Sequence, residues 1–304
     1  MGTYDPRYLI TPPKEEEEVY PYRRVWPSLL FELAGMFGAA LALFVLTRLV
    51  ASIPQALSTL ALALIALLPA LLWLRFSWQR ERAALEPRQN LLLVAVVTAL
   101  AASAVGLPLV TDVLRIDEWL PLSGAVNRII GYTFTVGIVQ ESIRYLVLRY
   151  TVWPGHFRTR LDGVAYGAAG AVGYALVLNL NFVLSADPGL DIAAMRVFDE
   201  TVRQVAGGII VGYGLAEVRF NPRPFPLLLP ATIFFAAFIT GIAIPVTAGL
   251  ANVALSVSAP VTAASPLRGF LFSAALIAAV AAIMIFLFNI AIRQDQEAAA
   301  VGEA

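Results

Sequence analysis

The chain contains no cysteine, and histidine occurs once, at His156. The first absence excludes a disulfide framework and any thiolate metal site, and the second excludes a His-rich one. Charge is scarce too: Asp, Glu, Lys and Arg make up 14% of the 304 residues, and the 21 basic side chains balance the 21 acidic ones. With an isoelectric point near 6.6 there is no basic excess to attract a nucleic acid. Apolar residues fill the space instead. They amount to 59%, with a mean hydropathy of +0.77, where a soluble domain carries about 45–50% apolar and about 25% charged residues. This is the composition of a polytopic membrane protein.

A hydrocarbon core of about 30 Å needs about 20 apolar residues in a helix. Such stretches occur eight times, at roughly 28–47, 51–74, 90–110, 127–152, 163–185, 198–217, 225–249 and 267–291. The expected fold is all-α: a polytopic transmembrane bundle over 27–292. Pro54, Pro69, Pro230 and Pro245 lie inside or near span ends, where neighbouring helices tolerate the break. A Pro-, Tyr- and Glu-rich arm over 1–26, containing Glu15 to Glu18, has the composition of a disordered cytosolic segment. No small-residue cleavage pattern follows the first span, which argues against a signal peptide. Residues 293–304 form a cytosolic tail.

Basic residues set the orientation. With the N-terminus inside, 14 Lys and Arg fall in cytoplasmic segments, and only Arg48, Arg115, Arg196 and Arg268 fall outside. Both termini are therefore expected in the cytoplasm. Of the remaining basic residues, Arg128 can reach the outer surface, whereas Arg144 and Arg203 are held inside spans.

The stretch "VQESIRYLVLRY" brings Gln140, Glu141 and Arg144 together in the fourth span. Counted at 1.5 Å per residue, Glu141 is roughly 18 Å above the interfacial Trp153, near the bilayer midplane. Glu141 and Arg144 are three apart and share a helix face, where they can pair. Ionisable groups at that depth mark either a site or a structural ion pair between helices. Asn179 lies roughly 25 Å above Asp162, and Arg203 and Gln204 lie about 20 Å above Glu217. The five groups Glu141, Arg144, Asn179, Arg203 and Gln204 are therefore expected in one layer. Gly163-xxx-Gly167 and Gly208-xxx-Gly212 suit close helix packing.

Residues 139–219, with "QESIR", "DGVAYGAAGAVGYALVLNLNFVL" and "RQVAGGIIVGYGLA", resemble the core of the PrsW-type intramembrane metalloproteases, relatives of the type II CAAX prenyl proteases. That family's pattern is Glu-Glu-x-x-Lys, then Asp-Gly opening a helix that carries Phe-x-x-x-Glu-Asn, then a histidine before a glycine-rich run. The resemblance implies a zinc-dependent intramembrane protease with Glu141 and Arg144 at its catalytic motif. The departures fall on the chemistry. Gln140 stands for one glutamate, Arg144 for the lysine, Tyr174 for the aromatic, Leu178 for the second-motif glutamate and Gln204 for the histidine.

A zinc-bound water needs about three ligands and a base. Of the remaining acids, Glu32 is near the inner edge of the first span, Asp199 and Glu200 are at the outer edge of the sixth, and Glu217 ends it. None is expected level with Glu141. The expectation is a PrsW-like protein of a bacterial or archaeal plasma membrane, without a metal ligand set or cofactor, that binds the transmembrane segment of another membrane protein. Two readings stay open beside it: a working protease with an atypical site around Glu141, which would restore zinc, and a transporter whose polar layer holds a substrate.

Overall fold

The computed structural model describes residues 25–49, 55–82, 87–186, 188–221, 223–251 and 266–302. The expected arm over 1–26 lies outside these except for its last two residues, which already belong to the first helix. Among the described residues every long element is helical and no strand occurs. The physical reason is general: a backbone in hydrocarbon must satisfy its own N–H and C=O groups, and a helix does so within one segment.

Eight long helical segments follow one another among the described residues. They are α1 (Val25–Leu49); α2 (Gln55–Trp73, continued through a π-helical turn, Leu74–Trp78, into Gln79–Arg82); α3 (Leu91–Ala101, continued through π-helical Ala102–Gly106 and Leu109–Val113); and α4 (Ala125–Tyr132, π-helical Thr133–Gly137, then Ile138–Thr151). Then come α5 (Arg160–Ala186), α6 (Leu190–Phe220), α7 (Leu228–Ala251) and α8 (Pro266–Gly302). Pro69 and Pro245 sit inside α2 and α7 without ending them. The last helix continues through most of the expected 293–304 tail.

Five of these segments are long and apolar enough to cross a membrane: Leu57–Trp78, Leu91–Trp119, Arg160–Ala186, Leu228–Gly249 and Arg268–Leu287. In α1, a helix of 25 residues, the described side chains run from Leu30 to Leu46 and are apolar apart from Glu32. Helices α4 and α6 are interrupted by the charged residues that make them interesting.

Helix α5 is the centre of the bundle. Some 61% of its apolar window is buried, against 28% in each of the other four. It packs most extensively against α6, and the two run antiparallel because their glycines pair in reverse order. A side chain at Gly163 would strike the carbonyl of Gly212, and one at Gly167 would strike that of Gly208. This is the small-xxx-small contact that lets two backbones touch. On the opposite side Gly173 lies against the backbone of Ala95 in α3, and Gly137 of α4 against that of Ala237 in α7. Leu60, Leu64, Phe134 and Phe286 are among the large apolar side chains on the outside, as expected of a surface solvated by lipid.

One end of the bundle is tied by polar contacts. Asp162 occupies the third position of α5 and accepts from the backbone N–H groups of Arg158 and Thr159, at 2.7 and 2.8 Å. That is the acidic half of a capping box. Its other oxygen pairs with Arg88 at 2.6 Å, and Arg88 also holds Glu81 at 2.8 Å. Tyr166 donates to the carbonyl of Gln89, and Arg160 pairs with Glu217. The ends of α2 and α6 and the starts of α3 and α5 are thereby fixed together.

Candidate functional site

Gln140, Glu141 and Arg144 start the α-helical half of α4, directly after its π-helical turn. All three point inward, and Glu141 and Arg144 are 0% exposed. Their spacing of one helical turn puts acid and guanidinium on one face, and Arg144 Nη1 donates to Glu141 Oε2. Its Nη2 crosses to α6 and donates to Gln204 Oε1. The Gln204 amide is then fully oriented: its oxygen accepts from Arg144, while Nε2 donates to Gln140 Oε1 at 2.8 Å and Glu200 Oε1 at 2.9 Å. Arg203 closes the chain by donating to Glu200 Oε2.

Room for this layer comes from missing side chains. Glu141 Oε1 and Arg144 Nη1 lie where a Cβ on Gly207 would be, and the aliphatic stem of Arg144 lies over Gly170. The Tyr174 ring faces the Arg144 guanidinium from 5.9 Å, a cation–π distance. The layer thus draws on α4, α5 and α6, with two carboxylates against two guanidinium groups. Isolated, each such charge in a bilayer would cost several kcal/mol; paired in this way they neutralise one another. Glu141 Oε1, Arg144 Nε and Arg203 Nε are buried without a hydrogen-bond partner.

Four of the five residues expected in one layer fall in this network, and one stands beside it. Asn179 is buried but donates to Thr201 Oγ1 at 3.3 Å and bonds to no member of the network. Either Arg144 or Arg203 was a possible partner for Glu141 by depth alone; the geometry assigns Arg144, and Arg203 serves Glu200.

Glu200 is the correction. An outer-edge position and no second acid level with Glu141 were expected, but Glu200 is 6% exposed and joined to Arg144 through Gln204. The cause is the start of α6. Hydropathy places the span from 198, because Asp191 and Arg196 depress the stretch before it, whereas the helix begins at Leu190. Glu200 is therefore well inside, one turn before Gln204. The signal available in the sequence was that spacing: Glu200 with Arg203 and Gln204 at three and four residues, the positions that share a helix face.

The donors do not fit a zinc ion. Zinc takes about four ligands, of which three or four come from Cys, His, Asp or Glu. Among the described residues no three such side chains come together. Glu141 and Glu200 are each held by a guanidinium, and that positive charge among the donors opposes a second cation. The other candidates are engaged elsewhere. Glu32 accepts from Ser77, Asp199 from Ser273 at 2.6 Å, Glu217 pairs with Arg160, and His156 lies 3.1 Å from Asn90. Leu178 packs with Ala102, Ile143 and Tyr174.

A bundle of helices with an apolar exterior and a closed, charged polar layer in its middle defines an integral membrane protein. The chain belongs to the PrsW family: residues 86–264, more than half of its length, match the model described as PrsW family intramembrane metalloprotease. This extends the similarity beyond 139–219 to include α3 and α7. The chain is also similar to Protease PrsW of Bacillus subtilis (strain 168), with 29% identity over 86 residues. That stretch covers 28% of this chain and 38% of the relative, so the similarity spans well under half of the relative's length. No solved structure matches the chain.

Proposed function

We propose that this protein keeps the PrsW bundle without its zinc site and acts in a bacterial plasma membrane by binding the transmembrane segment of another protein. The observation that carries the reading is the Arg144 guanidinium, bonded at once to Glu141 and Gln204. It fastens α4 to α6 at the depth where a metal-dependent relative would need open ligands. The amides of Gln140 and Gln204 and the apolar Leu178 supply no base and no anionic ligand at the places the family pattern gives to them. A protein of this construction can still offer lipid-exposed helical faces to a partner helix.

Glu200 favours a second reading. Two buried carboxylates joined through one amide are the minimum for metal-independent acid–base hydrolysis, with one group protonating while the other accepts a proton. The two readings separate in one experiment on the purified full chain in mild detergent. Metal content should be well below one zinc per chain, and membrane-embedded test substrates should stay intact with both wild type and Glu141→Gln. Cleavage that is abolished by Glu141→Gln and by Glu200→Gln, without added zinc, would establish the second reading. Stoichiometric zinc would overturn both.

A further inference from the structure

The arginines at the tied end of the bundle fall into two kinds. Arg88 and Arg160 are neutralised by carboxylates, at 2.6–2.8 Å. Arg149, near the end of α4, is different. Its guanidinium lies 3.5 Å above the Trp153 ring, and no carboxylate pairs with it among the described residues. The ring is itself fixed, since Trp153 Nε1 donates to the Leu215 carbonyl of α6 at 3.0 Å. Glu217, the acid at the end of α6, is taken by Arg160 and Asn221. Arg149 is therefore a preorganised cation whose face is covered by a ring and whose edge donors meet no acceptor among the described residues.

Its surroundings locate it at a membrane boundary. Leu146, one turn earlier, is an exposed apolar residue, and Tyr150 next to it is 81% exposed. An apolar face that ends in Tyr, Trp and Arg is the pattern of a helix leaving hydrocarbon for the headgroup layer. The end of α2 repeats the arrangement: Arg82 lies 5.0 Å above the Trp78 ring and likewise pairs with no carboxylate among the described residues. A guanidinium stacked on an indole presents a planar fork of donors that matches two oxygens of a phosphate group. Because the stacking already fixes the side chain, little rotamer freedom is lost when the phosphate arrives.

We propose that Arg149 on Trp153, and Arg82 on Trp78, are binding points for the phosphate headgroup of anionic phospholipids in the leaflet that this end of the bundle faces. The inference is independent of whether the polar layer is catalytic. The pairs stand on two separate helices, so they mark the rim of the protein and hold its depth and tilt against the headgroup layer. Zwitterionic lipids carry a neutralising amine beside the phosphate and gain less from an unpaired guanidinium.

The test is native mass spectrometry of the full chain released from bilayers of equal phosphatidylglycerol and phosphatidylcholine content. Wild type should retain phosphatidylglycerol in preference, and Arg149→Gln should lower that preference about fivefold, the value of one basic group near an anionic surface. Arg149→Lys should fall between, because charge remains while the planar fork is lost. Trp153→Leu should weaken retention without altering charge. Inorganic phosphate should not displace the lipid, since the acyl chains anchor it. Equal retention of the two lipids by wild type, or phosphatidylglycerol retention unchanged in Arg149→Gln and Arg149→Lys alike, would overturn the proposal. Full displacement by inorganic phosphate would overturn it too and identify a free-anion site instead. Should Arg149→Gln fail to fold, the wild-type preference and the lysine variant still decide.

Discussion

Arg144, buried, and Arg203, partly buried, each stand three residues from a glutamate, yet removing them should not cost the same. Arg144 and Glu141 are fully enclosed, whereas the side chains of Arg203 and Glu200 keep 12% and 8% of their exposure. Arg144→Ala strips Glu141 of the one charged partner it has among the described residues and leaves the Gln204 oxygen without its donor. Breaking a buried pair from one side costs about 3–5 kcal/mol in soluble proteins, and somewhat less in bilayers because unfolded helices find other partners. Arg203→Ala leaves Glu200 with the Gln204 amide still bonded to it, so its loss should be smaller. Thermal denaturation in mild detergent should rank the variants in that order, and Glu141→Gln combined with Arg144→Ala should recover much of the loss of Arg144→Ala alone. Equal midpoints for wild type and Arg144→Ala would show that Glu141 does not rely on this charge. At this scale the sequence was informative about which side chains meet, because Glu141 and Arg144 follow helical spacing and Gln204 follows depth. Hydropathy hid Glu200, since it treats the polar first turns of a buried helix as the edge of a span, and only the spacing to Arg203 and Gln204 pointed to it. The chemical consequence is that a site judged to hold one acid holds two.

Elements enter through glycine. The spacing Gly163-xxx-Gly167 and Gly208-xxx-Gly212 indicated close packing, and the two motifs turn out to face each other across α5 and α6. At Gly208 an added Cβ would meet the backbone of Gly167 and the Cβ of Ala171, neither of which can swing aside as a flexible side chain would. Gly208→Ala and Gly167→Ala should therefore push the helices apart and cost about 1–3 kcal/mol, as overpacking does elsewhere. They should also loosen the polar layer, which bridges α4 to α6 only four residues from Gly208. Gly38→Ala in α1 is the control: no atom lies within 4 Å of its Cβ position, and the better helix propensity of alanine should leave stability unchanged or raised by up to about 1 kcal/mol. Similar denaturation midpoints for Gly38→Ala and Gly208→Ala would refute a backbone contact at α5 and α6. Helix number and order were legible because apolar runs separated by Pro, Gly and charge are the dominant signal in a membrane chain. The ends were less so. Helix α6 starts eight residues before its apolar stretch, and the π-helical turns in α2, α3 and α4 have no periodic signature short enough to read.

For the whole molecule the open quantity is its direction in the bilayer. Arginines and lysines number 14 on one side against Arg48, Arg115, Arg196 and Arg268 on the other, and such an excess marks the cytoplasmic side. The fold gathers part of this excess physically, because Arg88, Arg149, Arg158 and Arg160 all stand at the end where α4 gives way to α5. Arg196 sits instead near the opposite end, at the start of α6, stacked 4.3 Å over Phe182. A chain without cysteine allows each end to be marked against an empty background. Ser185 is exposed near the end of α5, and Gly155 is exposed between α4 and α5 with no atom near its Cβ position, so a thiol at either place disturbs no packing. With α5 spanning the bilayer, these two sites must lie on opposite sides. An impermeant maleimide added to intact cells should label Ser185→Cys and leave Gly155→Cys unlabelled until the membrane is opened. The reverse pattern would invert the orientation, place the Arg149 and Arg82 rim in the outer leaflet, and put the tied end of the bundle outside the cell. Labelling of both sites in intact cells would contradict a membrane-spanning α5.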